Sequence, residues 1–324
     1  MSRLFLSRRL ALAFGLAFAA MAHAQTFPSK PLKLVVPFGP GGSSDVVARI
    51  VAEGAGEALG QPMLIENVPG AGGNIGTARV VKAAPDGYTL VECTIGTCAI
   101  NPSIYAQTGY DLQKDFAPVF LVGGVMNIFT VHPSMPVKSI AELVAYIKAN
   151  PGKLPVAIGA VGSSNHLTPV WFASIAGLDM LYVPFKGAGD AITALLGGQV
   201  MMFVDNEPSI LPQIKSGKAR PLAVTGPRRS AYLPDVATME ELGYKGFVVE
   251  PWYGFMVPQG TPRAAIERLN AAFNAAIRNP RVKARLEEAG LRLIGGAPER
   301  LGEQIRGESE RWAKVVKANN VKVE

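Results

Sequence analysis

The stretch that decides the fold is Val35-Val36-Pro37-Phe38-Gly39-Pro40-Gly41-Gly42-Ser43-Ser44-Asp45. Its apolar start predicts a buried strand, its glycines predict a tight turn, and its serines predict the beginning of a helix. Glycine lets the backbone approach a ligand closely, and the helix directs its free N–H groups and positive dipole end at the turn. Because the loop holds no Lys or Arg and no nucleotide-binding spacing, it indicates a cradle for a carboxylate oxygen rather than for phosphates. A tight turn with Ser43 or Ser44 as the N-cap explains the same residues, and the sequence leaves both interpretations open.

Alternating strands and helices continue on both sides of this stretch. Apart from Lys33, the run from Leu32 to Val36 is apolar, which is typical of a strand covered on both faces. Helical spacing follows from Val46 to Leu59. A strand over 63–66, a second glycine-rich turn, a helix through Lys82 and a strand over 88–94 come next. This β-α-β-α-β order predicts the beginning of a doubly wound α/β sheet.

The strands of the whole chain fit two sheets better than one. The extended segments 118–131 and 246–257 are the natural crossings between two lobes. We therefore predict two doubly wound α/β domains joined by a hinge, with lobe 1 formed by 25–123 and 248–324 and lobe 2 by 124–247. Further strands are expected over 154–159, 179–184, 199–204 and 219–224, and further helices over 165–176, 187–197, 207–216, from Pro262 onward and at the C-terminus.

Five turns are expected to line a cleft between the lobes, because ligands of such sheets bind beyond the carboxyl ends of the strands. The turns are rich in Gly, Ser and Thr and poor in charge. Hydroxyl and amide donors can hold a carboxylate without the desolvation cost of a buried cation. Ser163 and Ser164 could contact a ligand or cap a helix. Asp205 could contact a ligand, or Asp205 or Asn206 could cap the helix that follows. The turns cover 38–44, 94–98, 160–166, 185–189 and 205–207.

The first 24 residues have the pattern of a cleavable export signal. Three arginines precede an apolar run from Leu10 to Ala20, and Ala22-His23-Ala24 offers small residues for cleavage before Gln25. The run is too short for a permanent anchor, so we expect a periplasmic protein without direct membrane insertion. The segment holds three of the 32 basic residues and none of the 25 acidic ones, which leaves a formal charge of +4. That charge is too small to indicate a nucleic-acid partner.

Catalytic and cofactor chemistry finds little support in the sequence. Ser163 or Ser164, His166 and Asp205 are the residue types of a hydrolase, but no nucleophile-elbow pattern accompanies them. Because the sequence shows no metal-ligand cluster or cofactor motif, we expect neither an enzyme nor a bound cofactor or metal. Cys93 and Cys98 are the only cysteines, and an oxidising compartment leaves a disulfide and two buried thiols as alternatives.

Six motifs carry a resemblance that runs through nearly the whole mature chain. In them the chain is similar to the tripartite tricarboxylate transporter receptors, the Bug family of periplasmic solute-binding proteins. Each motif alone is weak, but their order and spacing make the resemblance specific. The motifs are Lys33–Asp45 (KLVVPFGPGGSSD), Pro69–Gly76 (PGAGGNIG), Ala84–Leu90 (APDGYTL), Ala99–Ser103 (AINPS), Val183–Gly189 (VPFKGAG) and Leu195–Val200 (LLGGQV).

The resemblance implies a Venus-flytrap protein, similar to type II periplasmic binding proteins, that captures a small carboxylate and delivers it to membrane permease subunits. In this family, carboxylates are held mainly by backbone amides, hydroxyls and waters of two facing loops. We expect a monomer, and an extracytoplasmic sensor for a signalling system is the alternative that the same fold and site would serve. The ligand-binding residues that the resemblance implies are Phe38, Gly41, Gly42, Ser43, Ser44, Thr97, Gly162, Ser163, Ser164, His166, Phe185 and Asp205.

Several positions beside the expected cleft depart from the family's pattern. Ile158 would make the wall of lobe 2 more apolar, and Glu92 or Glu207 could add a negative group. We therefore expect a carboxylate that has either an apolar body or an amino group. The departures are Glu92, Cys93 and Cys98 where relatives more often carry Met, Gly and His, Ile158 and Ala160 where a small polar residue and Gly are frequent, and Glu207 where an apolar residue is usual.

Overall fold

The structure, a computed structural model, describes residues 27–318 and contains two β-sheets. The expected export signal lies outside the described residues. The predicted strands are present, with ends that shift by at most three residues. In chain order the strands are β1 Leu32–Val36, β2 Met63–Asn67, β3 Thr89–Thr94, β4 Phe116–Gly124, β5 Asn127–Val131, β6 Pro155–Ile158, β7 Leu181–Pro184, β8 Met202–Asn206, β9 Arg220–Val224, β10 Trp252–Pro258 and β11 Arg292–Leu293.

Helices follow most of the strands, as the sequence predicts, and three further helices were not predicted, over 101–104, 140–149 and 280–288. A 3₁₀ turn covers Ala71–Gly73, and a π-helical turn covers Gly96–Ile100. No helix within residues 27–318 is long and apolar enough to cross a membrane. The helices are α1 Ser43–Leu59, α2 Asn74–Val81, α3 Asn101–Ile104, α4 Ile140–Ala149, α5 Ser164–Ala176, α6 Ala188–Leu196, α7 Glu207–Lys215, α8 Arg263–Arg278, α9 Pro280–Glu288 and α10 Glu299–Ala318.

The first sheet has the order β11-β4-β10-β3-β1-β2. Strand β1 lies between β2 and β3 and runs parallel to both, which explains why it is apolar except at the exposed Lys33. The sheet is mixed, because β10 runs antiparallel to both β3 and β4. Aromatic rings fill the layer between this sheet and α8, where Phe273 stacks on Phe120 at 5.4 Å.

The second sheet has the order β7-β6-β8-β5-β9 and is reached by two crossings of the chain. The outgoing crossing lies between β4 and β5, and the return follows β9 and leads into β10. The two crossings lie side by side, as the hydrogen bond from the N–H of Val125 to the carbonyl of Pro251 at 2.8 Å shows. The lobe boundaries after residues 123 and 247 stay predictions, since membership of a sheet does not show which segments move together.

The C-terminal helix α10 packs with the apolar face that its sequence predicts. Leu301, Trp312 and Val316 are buried, and Ile305 and Val315 pack partly buried against the same core. Trp312 also meets Trp171 of α5 edge to face, with ring centroids 6.2 Å apart. Because α5 flanks the second sheet, this ring contact joins the two halves of the molecule.

Candidate functional site

Loops from both sheets meet around one cavity of about 40 Å³. Each of the five turns that the sequence placed at a cleft contributes residues to it. None of the lining side chains carries a charge, so any ligand here meets hydroxyls, amides, aromatic rings and backbone. The lining residues are Phe38, Gly39, Gly42, Ser44, Thr94, Ile95, Gly96, Gly159, Ala160, Ser163, Ser164, Asn165, Ala188, Asn206, Pro251, Trp252 and Tyr253.

The glycine-rich loop brings the beginning of α1 to the cavity. Neither serine is the N-cap, which corrects the capping interpretation: Gly42 is the N-cap with φ −83° and ψ 170°, and no side chain caps the helix. Ser43 and Ser44 lie in the first turn, and Ser44 lines the cavity. The first-turn N–H groups are therefore not satisfied by a capping side chain and can serve another acceptor.

Asp45 fixes the shape of this loop. Its carboxylate accepts from the Gly41 N–H at 3.1 Å and from Asn67 Nδ2 at 3.0 Å, and it pairs with Arg49 at 2.8 Å. Burial would raise the pKa of Asp45, but the hydrogen bonds from Arg49, Gly41 and Asn67 outweigh burial and hold that pKa below its ordinary value. Asp45 is thus a structural anion whose charge is already compensated, and Gly41 is its partner.

The second loop repeats this geometry on the other side of the cavity. Ser163 is the N-cap of α5 with φ −82° and ψ 170°, and its side chain does not cap the helix either. Its hydroxyl instead donates to the carbonyl of Ala160 at 2.6 Å. Ser163, Ser164 and Asn165 all line the cavity. Two helices with nearly identical uncapped beginnings therefore face one space from opposite sheets.

Asp205 lies behind the cavity rather than in its lining. It is fully buried, and its carboxyl accepts from Asn165 Nδ2 and from Ser209 Oγ, each at 2.5 Å. Burial raises the pKa of Asp205 to about 6, although these hydrogen bonds act in the opposite direction. Ser209 also meets Ser43 at 2.7 Å between the hydroxyl oxygens, so this chain of polar contacts joins α1 to α7.

Four other predicted residues lie around the cavity without lining it. Thr97 is buried and accepts from the Thr94 N–H at 3.2 Å. The Gly162 N–H donates to His166 Nδ1 at 3.2 Å, and burial lowers the pKa of His166 to about 4, which leaves its ring neutral. Phe185 lines a neighbouring pocket, and Phe38 and Ala160 line both that pocket and the cavity. Since the Ser163 hydroxyl, His166 and Asp205 each bond elsewhere, they do not form a relay.

Sequence reasoning missed several residues of the lining. Asn206 was noted only as a helix cap, yet it lines the cavity, donates to Ser164 Oγ at 3.2 Å and accepts from the Tyr253 hydroxyl at 3.2 Å. Trp252 and Tyr253 begin the returning strand β10, and Pro251 comes directly before it. The segment 246–257 was predicted to cross between the lobes. Because such a crossing lies beside the hinge, its residues could have been expected at the back wall of the cleft.

Cys93 and Cys98 form a disulfide, which settles the alternatives that the sequence left open. Their Cα atoms are 5.8 Å apart, and the bond closes a short loop from the end of β3 into the π-helical turn. Thr94, Ile95 and Gly96 inside that loop line the cavity. The disulfide therefore constrains one wall of the candidate site.

Of the departures from the family pattern, only Ala160 lines the cavity. Ile158 is buried in β6 and does not reach the lining, which corrects the expectation of a more apolar wall. Glu207 faces a different pocket near the crossings, where it accepts from Ser230 Oγ. Glu92 is buried behind Ser44.

The chain is similar to known proteins over nearly its whole length. The model of the tripartite tricarboxylate transporter family receptor matches residues 47–321. Protein BugT of Bordetella pertussis is 38% identical over 306 residues, which cover 94% of each chain. The structure of the periplasmic binding protein BugD, 35% identical, matches with a TM-score of 0.89 over 92% of this chain and all of that one.

Two further solved structures contain a named ligand. A protein of R. palustris with adipate is 34% identical, with a TM-score of 0.88 over 91% of this chain and 99% of that one. MatC of Rhodopseudomonas palustris with bound malate is also 34% identical, with a TM-score of 0.86 over 90% of this chain and all of that one. By its sequence match and its fold, the chain belongs to the tripartite tricarboxylate transporter receptor family, the Bug type of periplasmic solute-binding proteins.

Proposed function

We propose that this chain is a periplasmic receptor that captures a small carboxylate in the cavity between its sheets and is not an enzyme. The observation that carries the proposal is the pair of uncapped helix beginnings, at Gly42 and Ser163, that face one cavity without a lining charge. Free N–H groups and the positive dipole ends of two helices stabilise an anionic oxygen. Adipate and malate in two relatives are carboxylates of the class that such donors fit.

Neutral donors suit a receptor that must release its ligand. A buried Lys or Arg would bind a carboxylate only at the cost of its own desolvation. In the empty receptor its charge would repel only cations. Hydroxyls and N–H groups gain most when the ligand is charged, because charge-assisted hydrogen bonds are about twice as strong as neutral ones. A dissociation constant of about 1 μM needs roughly 8 kcal/mol in total, which several such bonds and burial can supply.

The lobes are proposed to close on the ligand. Loops of both sheets touch in this structure: the Ser43 and Ser209 hydroxyls are 2.7 Å apart, and a Cβ at Gly42 would lie 3.2 Å from Ala188 Cβ. A ligand that contacts both lobes favours this closed form.

Export and delivery complete the proposal. Residues 1–24 would direct the chain to the periplasm and be removed, lobe 1 would comprise 25–123 and 248–324, and lobe 2 would comprise 124–247. The loaded monomer would then deliver its ligand to the membrane permease subunits of a tripartite tricarboxylate-type transporter. A sensor that presents the loaded form to a signalling partner uses the same fold and site, and genes adjacent to this one for a permease or a sensor kinase distinguish the two.

The test is a ligand screen on residues 25–324, unfolded and refolded to remove any bound solute. Thermal unfolding is followed with amino-dicarboxylates, aliphatic and aromatic dicarboxylates, malate, citrate and nicotinate, and with neutral sugars as controls. A ligand that binds only the native state raises the unfolding temperature by mass action. A shift with one class of carboxylate is expected; shifts with sugars alone, or with no carboxylate, contradict the proposal.

A further inference from the structure

Glu92 is a buried carboxyl group that the proposed site does not yet use. It lies on β3 two residues before Thr94, and its side chain is fully buried. Within residues 27–318 neither of its carboxyl oxygens has a hydrogen bond of ordinary geometry. Buried polar groups in native proteins nearly always have a partner, so an acid without one calls for an explanation.

The neighbours of Glu92 place it directly behind the cavity wall. The Ser44 side chain of α1 is near enough to interact with it, and the Tyr253 hydroxyl of β10 lies within its electrostatic influence. Both Ser44 and Tyr253 line the cavity. The Tyr253 hydroxyl donates to Asn206 Oδ1 at 3.2 Å, and Ser44 is the side chain whose hydrogen bonding acts on Glu92.

Among the residues that the structure describes, no cation compensates Glu92. The titratable groups that face it within the described chain are Asp45 on α1 and Tyr253 on β10, and Asp205 reaches the same tyrosine from β8. Asp45 is an anion whose charge Arg49 compensates. Burial, with a smaller contribution from the Asp45 charge, raises the pKa of Glu92 well above its ordinary value although Ser44 acts in the opposite direction. Burial thus favours the uncharged form of Glu92, and an uncharged carboxyl has an O–H to donate.

A serine hydroxyl can accept one hydrogen bond while it donates another. If Glu92 donates to Ser44 Oγ, the single hydrogen of Ser44 must point elsewhere, and the cavity is the space on its other side. If Glu92 were ionised, Ser44 would donate to it and present only lone pairs to the cavity. The protonation of Glu92 therefore decides whether Ser44 is a donor or an acceptor for a ligand.

We propose that Glu92 is a positioning residue for ligand specificity: as an uncharged acid in the loaded receptor it donates to Ser44 and so directs the Ser44 hydroxyl into the cavity as a donor to an anionic oxygen. The inference rests on the proposed carboxylate function and adds a residue to it. It also assigns a role to one of the positions where this chain departs from its family.

The experiment measures affinity for malate and for adipate by calorimetry between pH 6.5 and pH 9.5, where both acids are already ionised. Wild-type affinity is expected to fall about tenfold or more as Glu92 ionises, because Ser44 turns away and a negative charge appears beside the ligand. Glu92→Gln, whose amide donates but does not titrate, should keep the low-pH affinity within about threefold and lose the pH dependence. Glu92→Met, without a donor, should bind about tenfold more weakly at every pH.

Glu207→Gln is the matched control, since Glu207 is also a buried carboxyl but lies outside the cavity lining. It should retain the wild-type pH profile. Circular dichroism and thermal unfolding establish that each variant is folded. A pH profile that Glu92→Gln leaves unchanged, wild-type affinity in Glu92→Met, or wild-type affinity that rises with pH overturns the role of Glu92 while the receptor function stands. Absence of binding to every carboxylate of the screen by the wild type overturns the proposed function and this inference with it.

Discussion

Serines at helix beginnings serve two purposes in this chain. Ser139 is a true N-cap of α4, because its hydroxyl accepts from the Glu142 N–H at 3.1 Å. Ser163 stands at the same position of α5 but does not cap, and Ser44 and Ser164 lie in first turns that face the cavity. The difference indicates that the cavity serines are placed for a ligand rather than for helix stability.

Alanine substitutions at Ser139 and Ser164 separate these purposes. Ser139→Ala should lower the free energy of unfolding by about 1 kcal/mol, the usual value of an N-cap, and leave affinity unchanged. Ser164→Ala should weaken carboxylate binding about tenfold, because one donor to an anion is lost. Denaturant unfolding and calorimetry measure the two effects. Equal losses of affinity in both variants would show that the distinction is wrong.

Glu207 gives the molecule a pH-dependent stability away from the cavity. Burial raises its pKa to about 7, although the bond from Ser230 acts in the opposite direction. Because the folded pKa lies above the unfolded one, the native state holds the proton more tightly. The stabilisation is complete below about pH 4.5 and is lost as pH rises through about 7.

Glu207→Gln should remove this part of the pH dependence. Its free energy of unfolding should exceed that of the wild type at pH 8.5, by about 3 kcal/mol at most, and the difference should shrink towards pH 5. Urea unfolding of both proteins at the two pH values measures it. A difference that is the same at both pH values would mean that Glu207 does not titrate in this range.

At the scale of elements, the sequence predicted the strands well because buried parallel strands are short apolar runs between turn residues. It placed β8 too early, over 199–204, because Val200 and Met201 are apolar although pairing with β5 begins at Met202. Asp205 and Asn206 looked like a turn, but they pair with Ile128 and Asn127 across the sheet. Apolar character marks burial and does not show where a ladder begins.

The beginnings of α1 and α5 were predicted to within a residue or two. Ser163, one of the predicted caps of α5, takes the N-cap position, but the N-cap of α1 was not predicted. Adjacent Gly and Ser residues are all good N-cap residues, and only the backbone conformation shows that Gly42 takes this position in α1. The antiparallel direction of β10 could not be predicted either, because all its residues are buried and no alternation marks its partners. For that reason the wall formed by Trp252 and Tyr253 was missed.

The disulfide between Cys93 and Cys98 should stabilise both the fold and the cavity wall. Replacing both cysteines by alanine should lower the free energy of unfolding by roughly 2 kcal/mol, as expected for a very short loop. Affinity for malate or adipate should fall as well, because Thr94, Ile95 and Gly96 lose their constraint. Mass spectrometry after thiol alkylation, with and without reductant, shows whether the bond forms in the exported protein; two alkylated thiols without reductant would contradict it.

At the scale of the whole molecule, function requires that the loops of the two sheets approach each other. Gly189 at the beginning of α6 is in close contact with the first loop: a Cβ there would lie 2.6 Å from the carbonyl oxygen of Pro40. Gly197 at the other end of α6 has room for a Cβ, at 3.4 Å from the carbonyl of Thr193. The two glycines offer a matched test of closure.

Gly189→Ala should hold the lobes apart and weaken carboxylate affinity at least tenfold, whereas Gly197→Ala should bind like the wild type. Small-angle scattering with saturating ligand should show a more compact wild type and a smaller change in Gly189→Ala. Wild-type affinity in Gly189→Ala would mean that closure at this contact is not needed for binding.

The central claim is that the beginnings of α1 and α5 hold one carboxylate together. The most direct measurement is a titration of ¹⁵N-labelled protein with malate and with adipate, in which the backbone amide signals are followed. We predict the largest shifts, in both sheets at once, for the first-turn amides Ser43, Ser44, Ser164 and Asn165. Binding that shifts the amides of only one helix beginning, or that leaves both unchanged, would contradict the account.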